Sequence, residues 1–318
     1  MRSKSQKVTF TINDNLCFIQ NYFEKKVKNK LRFWKKLYFS FLFFMKLTVI
    51  ITTYNSETWL RKVLVGYSVQ SENDFEIIIA DDGSTEETAI LIAAFQDKFK
   101  YPLLHVWQKD IGFRKSKILN KAILKSNSNY LLFTDGDCIP RNDFVKTHLK
   151  YKQEGYFLSG GYFKLNRLIS NAISEANILN EECFSIFWLL KNKLQMNFKL
   201  SKLTKSTFFA SFMNWITPTK RSWNGHNSSG FKSDIIAVNG FNELMEYGGM
   251  DRELGERMFN NGMLSKQIRY SAICLHLDHE RGYANEERIK KNLSIRKYNH
   301  QHHIIKIENG IDKLNSEV

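Results

Sequence analysis

The sequence predicts an α/β protein: a mainly parallel sheet with flanking helices and one helical insertion. Three observations carry this reading. Apolar runs of strand length alternate with segments of helical period between residues 47 and 134, which is the pattern of right-handed βαβ units. The runs are apolar throughout rather than at every second residue, as in strands buried on both faces. Two acidic clusters directly follow strands, at the ends where parallel sheets collect ligands.

Leu47–Thr53 (LTVIITT) is the first strand. Ser56–Val69 sets Leu60, Val63, Leu64 and Tyr67 on one helical face, with Ser56 as N-cap. Phe75–Ala80 (FEIIIA) is the second strand and runs into Asp81-Asp82-Gly83-Ser84. Thr85–Phe95 reads as helix, Leu103–Trp107 as strand and Phe113–Leu124 as helix. Tyr130–Thr134 (YLLFT) is the fourth strand and ends in Asp135-Gly136-Asp137. After Gly160-Gly161 the alternation stops. Residues 164–221 hold basic, aromatic helical stretches (FSIFWLLKNKL, TKSTFFASFMNWI), expected to pack on the sheet or to face a membrane or acceptor. SDIIAV then reads as strand. A turn at Asn239-Gly240, a helix from about Asp251 to Asn261, the strand QIRYSAICL and the run His276-Leu-Asp-His279 follow. The remaining C-terminal residues read as polar and helical, and no internal repeat is found.

The 318 residues are 43% hydrophobic and 25% charged, a globular composition that excludes a disordered chain. The length suits two domains or one large α/β domain with insertions. Lys and Arg number 47 against 32 Asp and Glu, for a net +15. Residues 1–44 hold +8 of it and residues 164–221 hold +6, which leaves the other 216 residues near neutrality at +1. Charge confined to two segments points to an anionic membrane surface and argues against a nucleic-acid binder. Leu37–Met45 is apolar but has less than half of the roughly 20 residues a spanning helix needs. No cleavage site follows it, so the expected location is the cytoplasm, with peripheral docking at the inner face of the cell membrane. Residues 1–44 read either as a basic, Phe-rich arm lying on anionic lipid or as upstream sequence joined to the reading frame. Cys17, Cys138, Cys183 and Cys274 are widely spaced; they read as buried thiols in a reducing compartment, with no zinc or disulfide pattern.

Asp135-Gly-Asp137 places two carboxylates after a buried strand, where they can share a hard divalent cation such as Mn²⁺ or Mg²⁺ with phosphate oxygens. Acidic turns commonly follow strands, so the motif gains weight only from its company. Asp81 and Asp82 can accept hydrogen bonds from a nucleotide's base or ribose. The same turn would equally serve as an Asx-turn capping the helix at Thr85. Gly112-Phe113-Arg114-Lys115-Ser116-Lys117 opens a helix, and its cations and N–H groups suit phosphate, although basic residues there oppose the helix dipole.

Taken in order, ITTYN, DDGS, GFRKSKILNKA and DGD resemble the nucleotide-sugar half of the family-2 glycosyltransferases. The later GFKSDIIAVNGFNE and YGGMDRELGERM look like a galactosyltransferase-type acceptor region. The resemblance covers about residues 46–283 and implies the GT-A fold, with a nucleotide-sugar half at 45–160, the insertion at 164–221, an acceptor and catalytic half at 222–285, and a polar helical tail at 286–318. It implies an inverting, metal-dependent hexosyltransferase with a nucleotide-sugar donor, UDP-linked, and a glycan or glycolipid acceptor such as lipooligosaccharide core or capsule precursor. Asp251 falls on the family's catalytic base. Thr53, Tyr54 and Asn55 fall at the base site, while Asp81, Asp82, Phe113, Arg114, Lys115 and Asp135 fall on donor contacts. Asp135 and Asp137, with His279 and His276 from the family's distal motif (His276-Leu-Asp-His279-Glu-Arg281), fall on the metal site. Tyr247, Gly248, Gly249 and Met250 fall on the acceptor region, where Tyr247 stands for a Trp and Met250 for a Glu. Trp223, in Trp223-Asn-Gly-His226-Asn227, is a further acceptor contact if that stretch is more than a polar loop.

Two rivals are open to test. A nucleotidyltransferase would carry a Gly-rich, basic-ended loop after the first strand, which ITTYNSE lacks. A non-catalytic polybasic protein binding lipid or nucleic acid would account for the charge but not for the acidic motifs.

Overall fold

The computed structural model describes residues 45–219, 222–279 and 285–315; the basic arm of 1–44 and Arg281 of the distal motif lie outside the described residues. Strand β1 (Leu47–Thr53) is followed by helix α1 (Glu57–Ser68), β2 (Phe75–Asp81), α2 (Glu86–Gln96), β3 (Leu103–Trp107), α3 (Lys115–Lys125) and β4 (Tyr130–Asp135). All seven residues of β1 and of β2 are buried, as their unbroken apolar pattern requires. Helix α1 buries Trp59, Leu60, Val63, Leu64 and Tyr67, the 3–4 spacing of a single face.

Next come β5 (Cys138–Pro140), α4 (Phe144–Tyr151), β6 (Tyr156–Ser159) and β7 (Gly161–Lys164). The insertion is broken into short pieces: α5 (Arg167–Ala172), α6 (Glu175–Leu179), a 3₁₀ turn, α7 (Ile186–Lys191), a second 3₁₀ segment (Phe198–Leu203) and α8 (Thr207–Ile216). Asn166, Ser174, Ser185, Asn197 and Ser206 each cap one of these pieces through a side-chain oxygen. This density of caps is why two long helices do not form. The chain closes with β8 (Ser228–Phe231), α9 (Lys232–Ala237), α10 (Met250–Asn260), β9 (Leu264–Gln267), β10 (Ile273–His276), α11 (Glu286–Gln301) and α12 (Ile311–Asn315).

Two sequence expectations are corrected here. SDIIAV is helical in α9, where Ile235 and Val238 are buried and Ile236 is exposed; that is an i, i+3 pattern, and the strand at this point is the preceding SSGF. The expected single strand QIRYSAICL is two strands, β9 and β10, separated by a turn at Arg269–Ala272 in which Ser271 and Ala272 donate back to the Ile268 carbonyl.

The main sheet has the order β3-β2-β1-β4-β8-β6-β9. Strands β3, β2, β1 and β4 are mutually parallel, and β8 runs antiparallel to both β4 and β6. A small second sheet has the order β5-β10-β7. Strand order reverses direction between β1 and β4, the switch point outside whose carboxyl ends a crevice opens. The register places Thr53 beside Asp81 and Thr52 beside Asp135 at that edge. Apolar clusters pack on the two faces of the sheet, one around Ile51, Ile79 and Leu132, the other around Ile50, Phe133 and Leu254. The C-terminal segment expected to be polar and helical seats α11 on α10: Asn299 donates to Glu253 Oε1 at 2.7 Å, and Arg296 pairs with Glu256. Among the described residues no helix is long and apolar enough to cross a membrane. Cys138, Cys183 and Cys274 are free and buried.

Candidate active site

A cavity of about 870 Å³ opens at the carboxyl ends of β1 and β4, within the size range of small-ligand sites. Thr53, Tyr54, Asn55, Asp82, Phe113, Lys115, Asp135, Asp137, Tyr247, Gly248, Gly249, Met250, Asp251, His276 and His279 all line it. Residues more than 200 positions apart thus share one wall.

One side is built by turns. Asn55 adopts a left-handed φ of 42°; its N–H donates to Ser84 Oγ and its Oδ1 accepts from Thr85 N–H, each at 2.9 Å. Asp82 accepts from Gln108 Nε2 at 2.6 Å and from Arg114 N–H at 2.8 Å. Burial raises its carboxyl above the ordinary value, and these two hydrogen bonds pull the other way. Tyr54 stands half-exposed at the mouth, its hydroxyl donating to Asp110 Oδ2 at 2.8 Å.

At the centre, Lys115 Nζ donates to Asp135 Oδ1 at 2.6 Å, and Thr52 Oγ1 donates to the same oxygen at 2.7 Å. Burial opposes both charges. It is overcome, so that Asp135 lies well below the usual carboxylate range, while Asp135, Asp251 and Asp137 together hold the Lys115 ammonium above its ordinary value. A basic residue in the first turn of α3 runs against the helix dipole; the three carboxylates facing it are what stabilise it there.

The next group is metal-like. Ligand atoms of Asp137, Cys138 and His276 lie within 4.8 Å of one another, and His279 Nε2 is 2.9 Å from Asp137 Oδ2. His276 Nδ1 is 2.9 Å from the Leu277 carbonyl. A carbonyl only accepts, so Nδ1 carries a hydrogen, and Nε2 lies 4.0 Å from Asp137 Oδ2. Burial pushes the Cys138 thiol far up. The thiol donates to Asp137 Oδ1 at 3.3 Å, and one carboxylate with two imidazoles could serve as the donor set. That mixture suits Mn²⁺ or a similar divalent ion.

Asp251 begins the first turn of α10, after Gly248 and Gly249 at φ 106° and 90°, backbone positions open in practice to glycine alone. Its Oδ1 is buried with no hydrogen-bond partner among the described residues. Burial, opposed by Lys115 and reinforced by Asp135, pushes this carboxyl up from 3.8 to about 6. Phe113 and Tyr247 meet edge to face at 6.1 Å. Met250 is buried, with Ser116 Oγ 3.9 Å from its sulfur, so an apolar wall stands where a carboxylate would otherwise lie.

Three expectations are corrected by this geometry, those for Asp81, Arg114 and Trp223. Asp81 is fully buried: it accepts from Ser84 N–H at 2.8 Å and lies 2.9 Å from His105 Nε2, so it braces the turn instead of meeting a ligand. The Arg114 guanidinium turns to the Lys109 carbonyl, and only its N–H serves the site, through Asp82. Asp135 Oδ1 accepts from both Lys115 and Thr52, while proximity groups Asp137 with Cys138 and His276. Trp223 is fully buried between Phe133 and Phe157, at ring distances of 5.4 and 5.5 Å, and cannot stack on a sugar.

Further residues line the cavity. His226, from the loop beside Trp223, lies between Tyr162 and His276; burial holds its imidazole down at about 4, so it is neutral. Arg167 and Arg288 reach the cavity from α5 and α11, and no spacing rule would have brought them there. Asn292, on α11, donates to the carbonyls of Glu246, Tyr247 and Gly248.

Solved structures share this architecture. S. aureus TarS 1–349 in complex with UDP-GlcNAc superposes with a TM-score of 0.54 at 15% identity, over 82% of this chain and 70% of that one. The mannosyltransferase PcManGT from Pyrobaculum calidifontis, in complex with GDP-Man and Mn²⁺, superposes with 0.52 at 16% identity, over 80% and 61%. The fold is that of the GT-A transferases. The model of the family described as Glycosyl transferase family 2 matches residues 48–213, just over half of the sequence. The chain belongs to that family and is a glycosyltransferase. The uncharacterized glycosyltransferase YfnE of Bacillus subtilis is 25% identical over 283 residues, 79% of this chain and 69% of that protein. Glycosyltransferase GlyA of Streptococcus pneumoniae serotype 4 is 28% identical over 123 residues, 38% of this chain; the chain spans only 17% of GlyA's length.

Proposed function

We propose that this glycosyltransferase is metal-dependent and inverting, and that it moves a hexosyl group from a UDP-linked donor to a hydroxyl of a glycan or glycolipid acceptor. A bacterial surface glycan precursor is the acceptor class that best fits the resemblance and the basic segments. The observation that carries the reading is Asp251. Its partly shielded carboxylate has an unpartnered oxygen, an affinity for protons raised to about 6, and a place in one cavity with Lys115, Asp135 and Asp137.

Tyr54 and Asn55 would border the base, and Asp82 with the Phe113 turn would hold the nucleoside. Lys115 and Asp135, fixed to each other, would set the diphosphate end of the donor. Asp137, His276 and His279 would hold the divalent ion. When bound, that ion supplies positive charge against the diphosphate leaving group. Asp251 takes the proton from the acceptor hydroxyl, whose oxygen forms a bond to the anomeric carbon as the bond from that carbon to the diphosphate oxygen breaks. The nucleoside diphosphate leaves with the electron pair, and the sugar's configuration inverts. UDP is favoured by the TarS complex with UDP-GlcNAc, although the PcManGT complex with GDP-Man shows that the fold also takes a purine donor.

A panel of nucleotide sugars, scored with and without Mn²⁺ for binding and slow hydrolysis, tests the donor and the metal together. Asp251→Asn is expected to bind the preferred donor with metal as the native chain does and to lose transfer by about 10²-fold or more. Native transfer rates in that variant would remove the base from the proposal.

A further inference from the structure

Helix α8 has its apolar side turned outward. At about 100° per residue, Trp215, Phe208, Phe212, Ile216 and Phe209 fall in one arc of roughly 120°. Phe208 is 83% exposed and Trp215 81%, and Phe212, Ile216 and Phe209 are exposed as well. Ala210 and Met213, on the other side, are buried with Tyr270. A helix that anchors through two residues and offers five large ones to solvent has an uncovered interaction face. Phe187, Met196 and Phe198, from the same insertion, are also strongly exposed.

The charge around this face identifies its counterpart. Residues 186–221 contain seven basic residues (Lys191, Lys193, Lys199, Lys202, Lys205, Lys220 and Arg221) and no Asp or Glu. A second copy of the chain would bring one acid-free basic segment against another, which like-charge repulsion opposes. A bilayer with anionic headgroups complements both features. Aromatic rings settle at headgroup depth, and lysine ammoniums lie against phosphates.

We propose that α8 and the basic segment around it dock the enzyme on an anionic phospholipid surface, with Phe208, Phe212 and Trp215 entering the headgroup layer. The docking is independent of which donor or acceptor the cavity takes. Its position is useful for a lipid-linked acceptor. The 3₁₀ segment Phe198–Leu203 carries Lys202, whose ammonium lies 5.7 Å from the Tyr162 ring, and Tyr162 in turn packs at 4.5 Å on His226 of the cavity wall. The docking insertion therefore borders the cavity directly.

Flotation of the full chain with phosphatidylcholine vesicles, with and without about a quarter phosphatidylglycerol, tests this. The native chain is expected to float with the anionic vesicles only. The variant Phe208→Ser/Phe212→Ser/Trp215→Ser is expected to partition about tenfold more weakly, with donor hydrolysis unchanged. Lys191→Gln/Lys193→Gln/Lys199→Gln is expected to weaken binding several-fold and to flatten its salt dependence. Equal flotation of the native and aromatic-triple chains overturns the proposal, and leaves residues 1–44 as the lipid-binding element. A dimer that the triple variant dissociates without altering vesicle binding overturns it in favour of self-association. Independently of how well the triple folds, brominated phosphatidylglycerol should quench a component of native tryptophan fluorescence that Trp215→Phe lacks. Identical quenching in the two chains overturns insertion of this face.

Discussion

Gly225 lies against the carboxylate of Asp251: a Cβ on Gly225 would stand 2.6 Å from Oδ1 and 2.8 Å from Oδ2. No other residue type fits there without moving the carboxylate, because the Asp251 side chain is short and rooted in the first turn of α10. Gly225→Ala is therefore expected to displace the proposed base by a fraction of an ångström to an ångström. Such a shift lowers kcat by about 10- to 100-fold, with donor affinity and the metal requirement kept. Initial rates beside calorimetric UDP binding check this. An unchanged kcat would mean that the carboxylate tolerates the shift and that its exact position does not limit transfer.

The raised affinity of Asp251 for protons makes two predictions about pH. As the proposed base it must be ionised, so transfer should fall as pH drops through about 6. Its folded value lies above the usual 3.8. Ionisation therefore opposes folding: the penalty is absent below about pH 4, grows between 4 and 6, and is complete above 6. At about 1.4 kcal/mol per pH unit its ceiling is about 3 kcal/mol, and the partial solvent contact of this carboxylate brings it lower. In metal-free protein, Asp251→Asn should raise Tm at pH 7.5 and leave it nearly unchanged at pH 4. Equal Tm values at both pH values would mean that burial does not perturb this group.

Much of the nucleotide half was legible in the sequence. Strands buried on both faces read as unbroken apolar runs, and β1 to β4 appear within a residue or two of their places. The acidic turns were legible as a pair, but not in their division of labour. Asp81 and Asp82 are adjacent, and alternation along the strand end alone decides that Asp81 points into the protein while Asp82 lines the cavity. Trp223 was misplaced for a related reason. Polar neighbours made its segment look like a loop, whereas the side chain fills a gap against Gly255, where a Cβ would come within 2.7 Å of it. The contribution of α11 was invisible, because Asn292 and Arg288 act through tertiary contacts that carry no period or motif.

Asn292 offers one amide group to three carbonyls, those of Glu246, Tyr247 and Gly248, at 3.0, 3.1 and 2.9 Å. It thereby fixes the loop that enters α10 and presents Tyr247 to the cavity. Asn292→Ala should destabilise the fold by about 1–3 kcal/mol, since it removes the donor to three partly buried carbonyls. It should also raise the acceptor KM more than the donor KM, because the loop lies on the proposed acceptor side. Denaturant unfolding together with the two KM values tests this, and an equal change in both KM values would place the loop's effect elsewhere.

The metal-like cluster has two compositions that mutagenesis can separate. Proximity alone groups Asp137, Cys138 and His276. Chemistry favours Asp137, His276 and His279, because the Cys138 thiol donates to Asp137 and a carboxylate with two imidazoles is a harder donor set than one with sulfur. Asp137→Asn and His279→Ala should each weaken Mn²⁺ binding in the presence of UDP by about 10- to 100-fold. Cys138→Ser should leave Mn²⁺ affinity within a few-fold of native, since a hydroxyl can donate to Asp137 as the thiol does. Chelation should abolish transfer, and added Mn²⁺ should restore it in Cys138→Ser but not in Asp137→Asn. Binding is read directly from the free-Mn²⁺ electron paramagnetic resonance signal, so the result does not depend on knowing the acceptor. Loss of Mn²⁺ binding in Cys138→Ser with retention in His279→Ala would assign the sulfur to the ion and reverse the donor set argued above.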